Sequence, residues 1–145
     1  MSAPLYTREL LRLAADASFV APLSAPDAEV ELRSSVCGSR IRVAVCLDAD
    51  QRITAYAHKV NACALGQASA TLVARGAKGR SVDDVRAARV QLCAFLDGRA
   101  ASPGEWPDVD TIAVVRGYPA RHAAVLLPFD AAIAALERAT NSIAA

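Results

Sequence analysis

The apolar positions of the chain change period twice, and each change marks a change of structure. Within Leu5–Ala17, Leu10, Leu13, Ala14 and Ala17 recur at helical spacing and predict a short amphipathic N-terminal helix. Pro22 and Pro26 make Val20–Asp27 a connecting loop. The period then becomes two. Val30, Leu32 and Val36 open the alternation. Ile41, Val43, Val45 and Leu47 continue it against Arg42, Ala44, Cys46 and Asp48, and Ile53, Ala55 and Ala57 finish it. With turns at Gly38 and at Asp48–Gln51, this predicts three antiparallel strands with one apolar face.

Beyond Asn61 the period is helical again. Asn61 is the expected N-cap of a helix over Cys63–Arg75, with Gly76 as its stop. Lys78–Ser81, reading KGRS, is a loop. Ser81 with Asp84 three residues on has the form of a capping box, and Asp83 and Asp84 suit the positive end of a helix. Val85, Ala88, Leu92 and Leu96 give that helix a buried stripe, and Gly98 ends it. A short helix follows over Val109–Arg116, then a last one over Ala120–Ala139, where Pro128 is expected to kink it. The class is α+β: a small three-stranded antiparallel sheet covered on one face by helices, with a short N-terminal helix, in one domain spanning residues 1–145.

A hydrophobic share of 54% against 21% charge fits a folded chain and excludes a disordered one. The net charge of +1 gives no bulk electrostatic drive toward nucleic acid or a membrane. The start, with Arg8, Glu9 and Arg12, lacks the apolar core of a signal peptide, and the run AAVLLPFDAAIAAL is broken by Pro128 and Asp130. A cytoplasmic protein is expected, with its four cysteines as free thiols or ligands.

The stretch VNACALGQASA, Val60–Ala70, sets Cys63 where the alternating pattern ends and a run of small residues begins. If Asp48 faces Arg52 across the hairpin, paired residue numbers sum to about 100, and those of Cys37 and Cys63 do too. Both are then expected past the same open end of the hairpin. A helix N-terminus favours a thiolate, and Arg40, Arg42 and Lys59 are near in sequence. Cys46, mid-strand, and Cys93, beside Leu92 on a helix stripe, read as packing residues. His58 and His122 each read as surface or packing residues rather than ligands.

Four short motifs, in order over nearly the whole chain, resemble the U-type iron–sulfur cluster scaffold family (the NifU N-terminal, IscU and SufU group). Cys37-Gly38-Ser39 stands where that family has C-G-D. Ala62-Cys63-Ala64-Leu65-Gly66-Gln67-Ala68-Ser69 matches a G-C-A-I-S-x-A-S pattern, and Lys78-Gly79-Arg80-Ser81 a K-G-K/R-S/T loop. Pro119–Phe129 matches P-x-R-x-x-C-A-x-L-x-W. Among the departures two matter for chemistry: Ser39 replaces the aspartate and Ala124 the third cysteine.

The resemblance implies ligand roles for Cys37 and Cys63 toward iron, zinc or a transient [2Fe–2S] cluster. Such a cluster takes four protein ligands, so His122 is a candidate third donor, and a homodimer would supply four thiolates. It also implies a cysteine desulfurase and apoprotein acceptors as partners, and a scaffold or carrier rather than an enzyme. Two rivals accompany this reading: a persulfide or zinc thiol carrier, and a metal-free interaction module of the same fold.

Overall fold

The computed structural model describes residues 4–36 and 38–144. Helix α1 (Arg8–Ala15) is shorter than the periodicity predicts, because local caps end it on both sides. The Thr7 hydroxyl accepts the Leu10 N–H at 3.1 Å, and at the other end the Asp16 N–H donates to the Leu13 carbonyl. Strands β1 (Ala28–Arg33), β2 (Arg40–Leu47) and β3 (Ile53–Asn61) form one antiparallel sheet in that order. Val36, expected on the first strand, lies in the following turn and is 71% exposed.

The hairpin register is one residue from the expected one along most of its length. Asp48 donates its N–H to the Arg52 carbonyl, as predicted, but a bulge between Cys46 and Leu47 then shifts the ladder, so that Cys46 faces Ala55 and Arg40 faces Asn61. The shift also changes which β3 side chains face the core. Ile41, Val43 and Val45 stand opposite Val60, His58 and Tyr56 on the helix-covered face, while Ala55 and Ala57 turn to the outer face with Cys46 and Ala44.

Helix α2 (Ala64–Ala77) is buried almost all round. It packs against α1, β3 and the final helix α4 (His122–Ala144), and α4 lies across β1 and β2. A helix hemmed on every side needs small residues, and Gly66, Ala68, Ser69, Ala70 and Ala74 supply them. Gly76, expected to end α2, is instead a packing position: Trp106 lies against it, donating Nε1–H to the Leu72 carbonyl at 2.8 Å, with Arg80 over its ring and Phe129 edge-on. The KGRS loop closes onto the start of β3. Gly79, at φ +85°, donates to the Ile53 carbonyl and Ile53 donates to that of Arg80.

Helix α3 (Val82–Leu96) starts at the predicted capping box, with both reciprocal Ser81–Asp84 bonds made, and buries Val85, Ala88, Leu92 and Leu96. Val109–Gly117 is a 3₁₀ segment, and a further 3₁₀ turn, Pro119–Arg121, leads into α4. That helix runs on through Pro128 to Ala144.

A glycine-to-alanine change inside a helix ordinarily stabilises by roughly 0.5–1 kcal/mol. At Gly76 a Cβ would stand 2.7 Å from Trp106 Cε2, so overpacking wins. Gly76→Ala is expected to lower stability by ~1–3 kcal/mol in urea unfolding. An unchanged or raised midpoint would show that the indole is not held against the helix.

Candidate functional site

The end of the β2–β3 ladder carries the two connections on which the sequence places its candidate ligands. Arg40 opens β2 opposite Asn61, the last residue of β3. Just before Arg40, the β1–β2 turn is tied by two backbone bonds, Ser34 N–H to the Ser39 carbonyl at 2.8 Å and Gly38 N–H to the Ser34 carbonyl at 3.0 Å. Gly38 has φ +73°, a left-handed value that favours glycine there. Ser39, at the family's aspartate position, is buried. Cys37, expected in this turn as a ligand, lies outside the described residues.

Two residues past Asn61, Cys63 is the N-cap of α2, with extended backbone angles and a half-buried thiol. It makes no side-chain cap bond, so the thiol leaves the first-turn N–H groups of α2 uncapped. Two bonds hold its backbone: Gln67 N–H donates to the Cys63 carbonyl at 2.9 Å, and the Gln67 side-chain amide to the Ala62 carbonyl at 3.1 Å.

The start of α4 comes to the same place. A Cβ at Gly66 would lie 3.5 Å from the Ala124 carbonyl oxygen and 4.0 Å from its Cβ, so the family's third-cysteine position abuts the first turn of α2. Ala124 is 3% exposed, so its side chain sits inside that contact. Pro128, four residues on, has no N–H for the Ala124 carbonyl, and one residue later the Ser69 hydroxyl donates to the Val125 carbonyl at 2.6 Å. Gln67 and Ser69 were named from sequence only as members of the Cys63 motif, without a bonding role. Their signal is available there: two polar residues within a small, apolar run destined for burial.

His122 is turned toward the 3₁₀ segment. Its Nε2–H donates to the Val115 carbonyl at 2.9 Å and approaches that of Arg116 at 3.2 Å. In the neutral ring this leaves Nδ1 as the nitrogen with a lone pair. Arg40, Arg42 and Lys59 line a cleft of about 200 Å³ beside Asn61, where Arg42 pairs with Glu31 at 3.7 Å and also with Glu29 at 3.4 Å. Among the described residues no group of three or more His, Cys, Asp or Glu side chains is placed to hold a metal.

Cys46, near the turn end of the β2–β3 hairpin, and Cys93, on α3, are half-buried. The Cys46 thiol points at the Ala25 carbonyl, 3.6 Å away, and the Cys93 thiol at Asp97, 3.9 Å away. His58 is a buried packing residue on β3. No described helix is long and apolar enough to cross a membrane.

Residues 5–125 match the model of the NifU-like N terminal domain. A NifU-like protein (N-terminal) from Brucella abortus has a crystal structure that superposes with a TM-score of 0.86 at 36% identity, covering 94% of this chain and 95% of that one. A protein described as an iron–sulfur cluster assembly scaffold for the SUF system, from Fervidobacterium islandicum AW-1, superposes with a TM-score of 0.83 at 17% identity, over 91% of this chain and 96% of that one, and shares the fold. No curated protein matches the sequence. A family model over residues 5–125 and a solved relative at 36% identity over nearly the whole chain show that the chain belongs to the NifU-like N-terminal domain family.

Proposed function

We propose that this protein is a scaffold of iron–sulfur cluster assembly, with Cys37 and Cys63 holding iron or a nascent [2Fe–2S] cluster as cargo. The observation that carries the reading is the site of Cys63 in a chain of this family. An uncapped helix start presents a half-buried thiol beside the end of β2, next to the turn in which Cys37 stands in sequence. Scaffold work needs thiolates that bind a soft metal yet stay accessible enough to release it. Such a protein carries cargo and is not an enzyme. It would take sulfur from a cysteine desulfurase and pass its cluster to apoproteins, in the cytoplasm. A site with Ser39 and Ala124 has two thiolates per chain, so a lasting cluster requires His122 through Nδ1 or a second copy of the chain.

The same two substitutions favour a second reading, a persulfide or zinc carrier that forms no cluster. Anaerobic reconstitution with iron and sulfide, followed by desalting, metal analysis and visible absorption, separates the two. The scaffold reading expects sulfide-to-iron charge-transfer bands that Cys37→Ser or Cys63→Ser abolishes. Bound zinc without colour supports the carrier, and metal-free protein supports a module that keeps only the fold.

The contact of Ala124 with the first turn of α2 gives a second test. Ala124→Cys combined with Ser39→Asp adds two anionic donors to this end of the fold. The double variant is expected to retain at least about two-fold more iron and sulfide after desalting than the parent chain. Equal or lower retention would mean that position 124 does not serve the thiol site.

A further inference from the structure

His58 is a buried titratable group that the cluster site does not use. It lies opposite Val43 on the helix-covered face of β3 and is 6% exposed. Among the described residues its Nδ1 has no hydrogen-bond partner. The ring is edge-on to Phe19 (centroids 6.2 Å apart, planes at 69°) and to Tyr56 (6.2 Å, 77°). Its backbone N–H donates to the Phe19 carbonyl at 2.9 Å.

β3 is an edge strand, so that last bond fastens the strap from Ala17 to Pro22 over an otherwise open edge. The strap is anchored at its start by Asp16, whose carboxylate accepts the Ser18 N–H at 2.9 Å and Arg75 Nη2 at 2.9 Å. Two cavities flank the fastening. One of about 170 Å³ lies against α1 and α2, with Asp16, Gln67 and Thr71 in its walls. The other, about 250 Å³, lies over the outer face of the sheet, with Leu23, Ala44 and Lys59 in its walls. Val20 and His58 border both.

We propose that the Ala17–Pro22 strap is an acid-released latch: a proton taken from solvent by the His58 imidazole detaches Phe19 from β3, merges the two cavities and uncovers the strand's outer edge. The imidazolium would need an acceptor at Nδ1, and the described residues of the latched fold provide none. Around the ring, Val43, Phe19 and Val20 are apolar, and Gln67 and Thr71 are uncharged. Burial pushes the Tyr56 phenol up, so it stays neutral and gives no anion. Glu29 and Arg42 share the outer cavity with His58 but pair with each other, and Lys59 there is a cation.

Burial holds His58 below the ordinary imidazole range, and the Asp16 carboxylate opposes that shift only in part. Asp16 itself is held at about 2 by its bonds to Ser18 and Arg75, so it stays ionised while His58 titrates. The sign follows. A released His58 binds a proton below about pH 6.5, where a latched one does not. The latch is therefore at full strength above that pH and weakens as pH falls. Its inner cavity shares Gln67 with the backbone that seats Cys63, so the latch and the thiol-bearing turn have a common wall.

Hydrogen exchange of the full chain at pH 7.5 and 5.0, corrected for intrinsic rates, reads the latch through the His58 N–H and the strap amides. Protection there is expected to fall at least about ten-fold at the lower pH, while amides of α2 and α4 keep theirs. His58→Phe should remove the pH dependence. Unchanged strap protection at pH 5.0, or an equal fall in His58→Phe, would overturn the proposal. Should that variant fail to fold, the His58 imidazole resonances of the parent chain decide the matter: titration well below 6.5 supports the latch, and titration at or above 6.5 overturns it.

Discussion

The pairing of β2 with β3 is the constraint on which the rest of the structure depends. β2 is the central strand, so its register with β3 fixes where both flanking connections emerge. With Arg40 opposite Asn61, the β1–β2 turn and the start of α2 share one end of the sheet, and the KGRS loop is left at the other, bound to Ile53. A slip of one residue would turn every β3 side chain to the opposite face, burying Lys59 and exposing Tyr56. The bulge after Cys46 stops that from happening. It absorbs one residue next to the Asp48–Arg52 turn, and the apolar cross-strand pairs Ile41–Val60 and Val45–Tyr56 follow from it.

The second determinant is close approach at α2. The helix is enclosed by α1, β3 and α4, and the absence of a side chain at Gly76 lets Trp106 lie against it, while a Cβ at Gly66 would run into the Ala62 side chain. These small residues pack the helix, and packing in turn fixes the direction in which its first turn points. The Ser69 bond to the Val125 carbonyl and the Gln67 bond to the Ala62 carbonyl tie that turn to α4 and to the chain just before Cys63. The thiol is thus carried on a rigid element, whereas the turn that contains Gly38 and Ser39 is a loop closed by two backbone bonds.

Much of this was legible in the amino-acid pattern. The three strands, the Ser81–Asp84 capping box and the buried stripe of α3 follow from alternation, spacing and cap chemistry, all of which are local. What escaped was non-local. Nothing near Gly76 announces that an indole thirty residues on will occupy the space of its missing side chain. The bulge, which sets His58 on the core face and Ala57 on the other, shifts the register at a single step between Cys46 and Leu47 that the alternation does not mark. For the site, the motif carrying Cys63 was readable, and so was the substitution at position 124. That Ala124 meets α2 at Gly66 depends on the tertiary approach of two helices far apart in sequence.

The proposed site requires that Cys37 and Cys63 come within reach of a single metal or cluster. A chain with Cys46→Ser and Cys93→Ser keeps only Cys37 and Cys63, and dibromobimane becomes fluorescent only when both of its arms have reacted with thiols. The account predicts a fluorescent intramolecular Cys37–Cys63 link in folded, metal-free, monomeric protein, lost on unfolding or on prior metal loading. Two separately alkylated thiols with no link between them would contradict it.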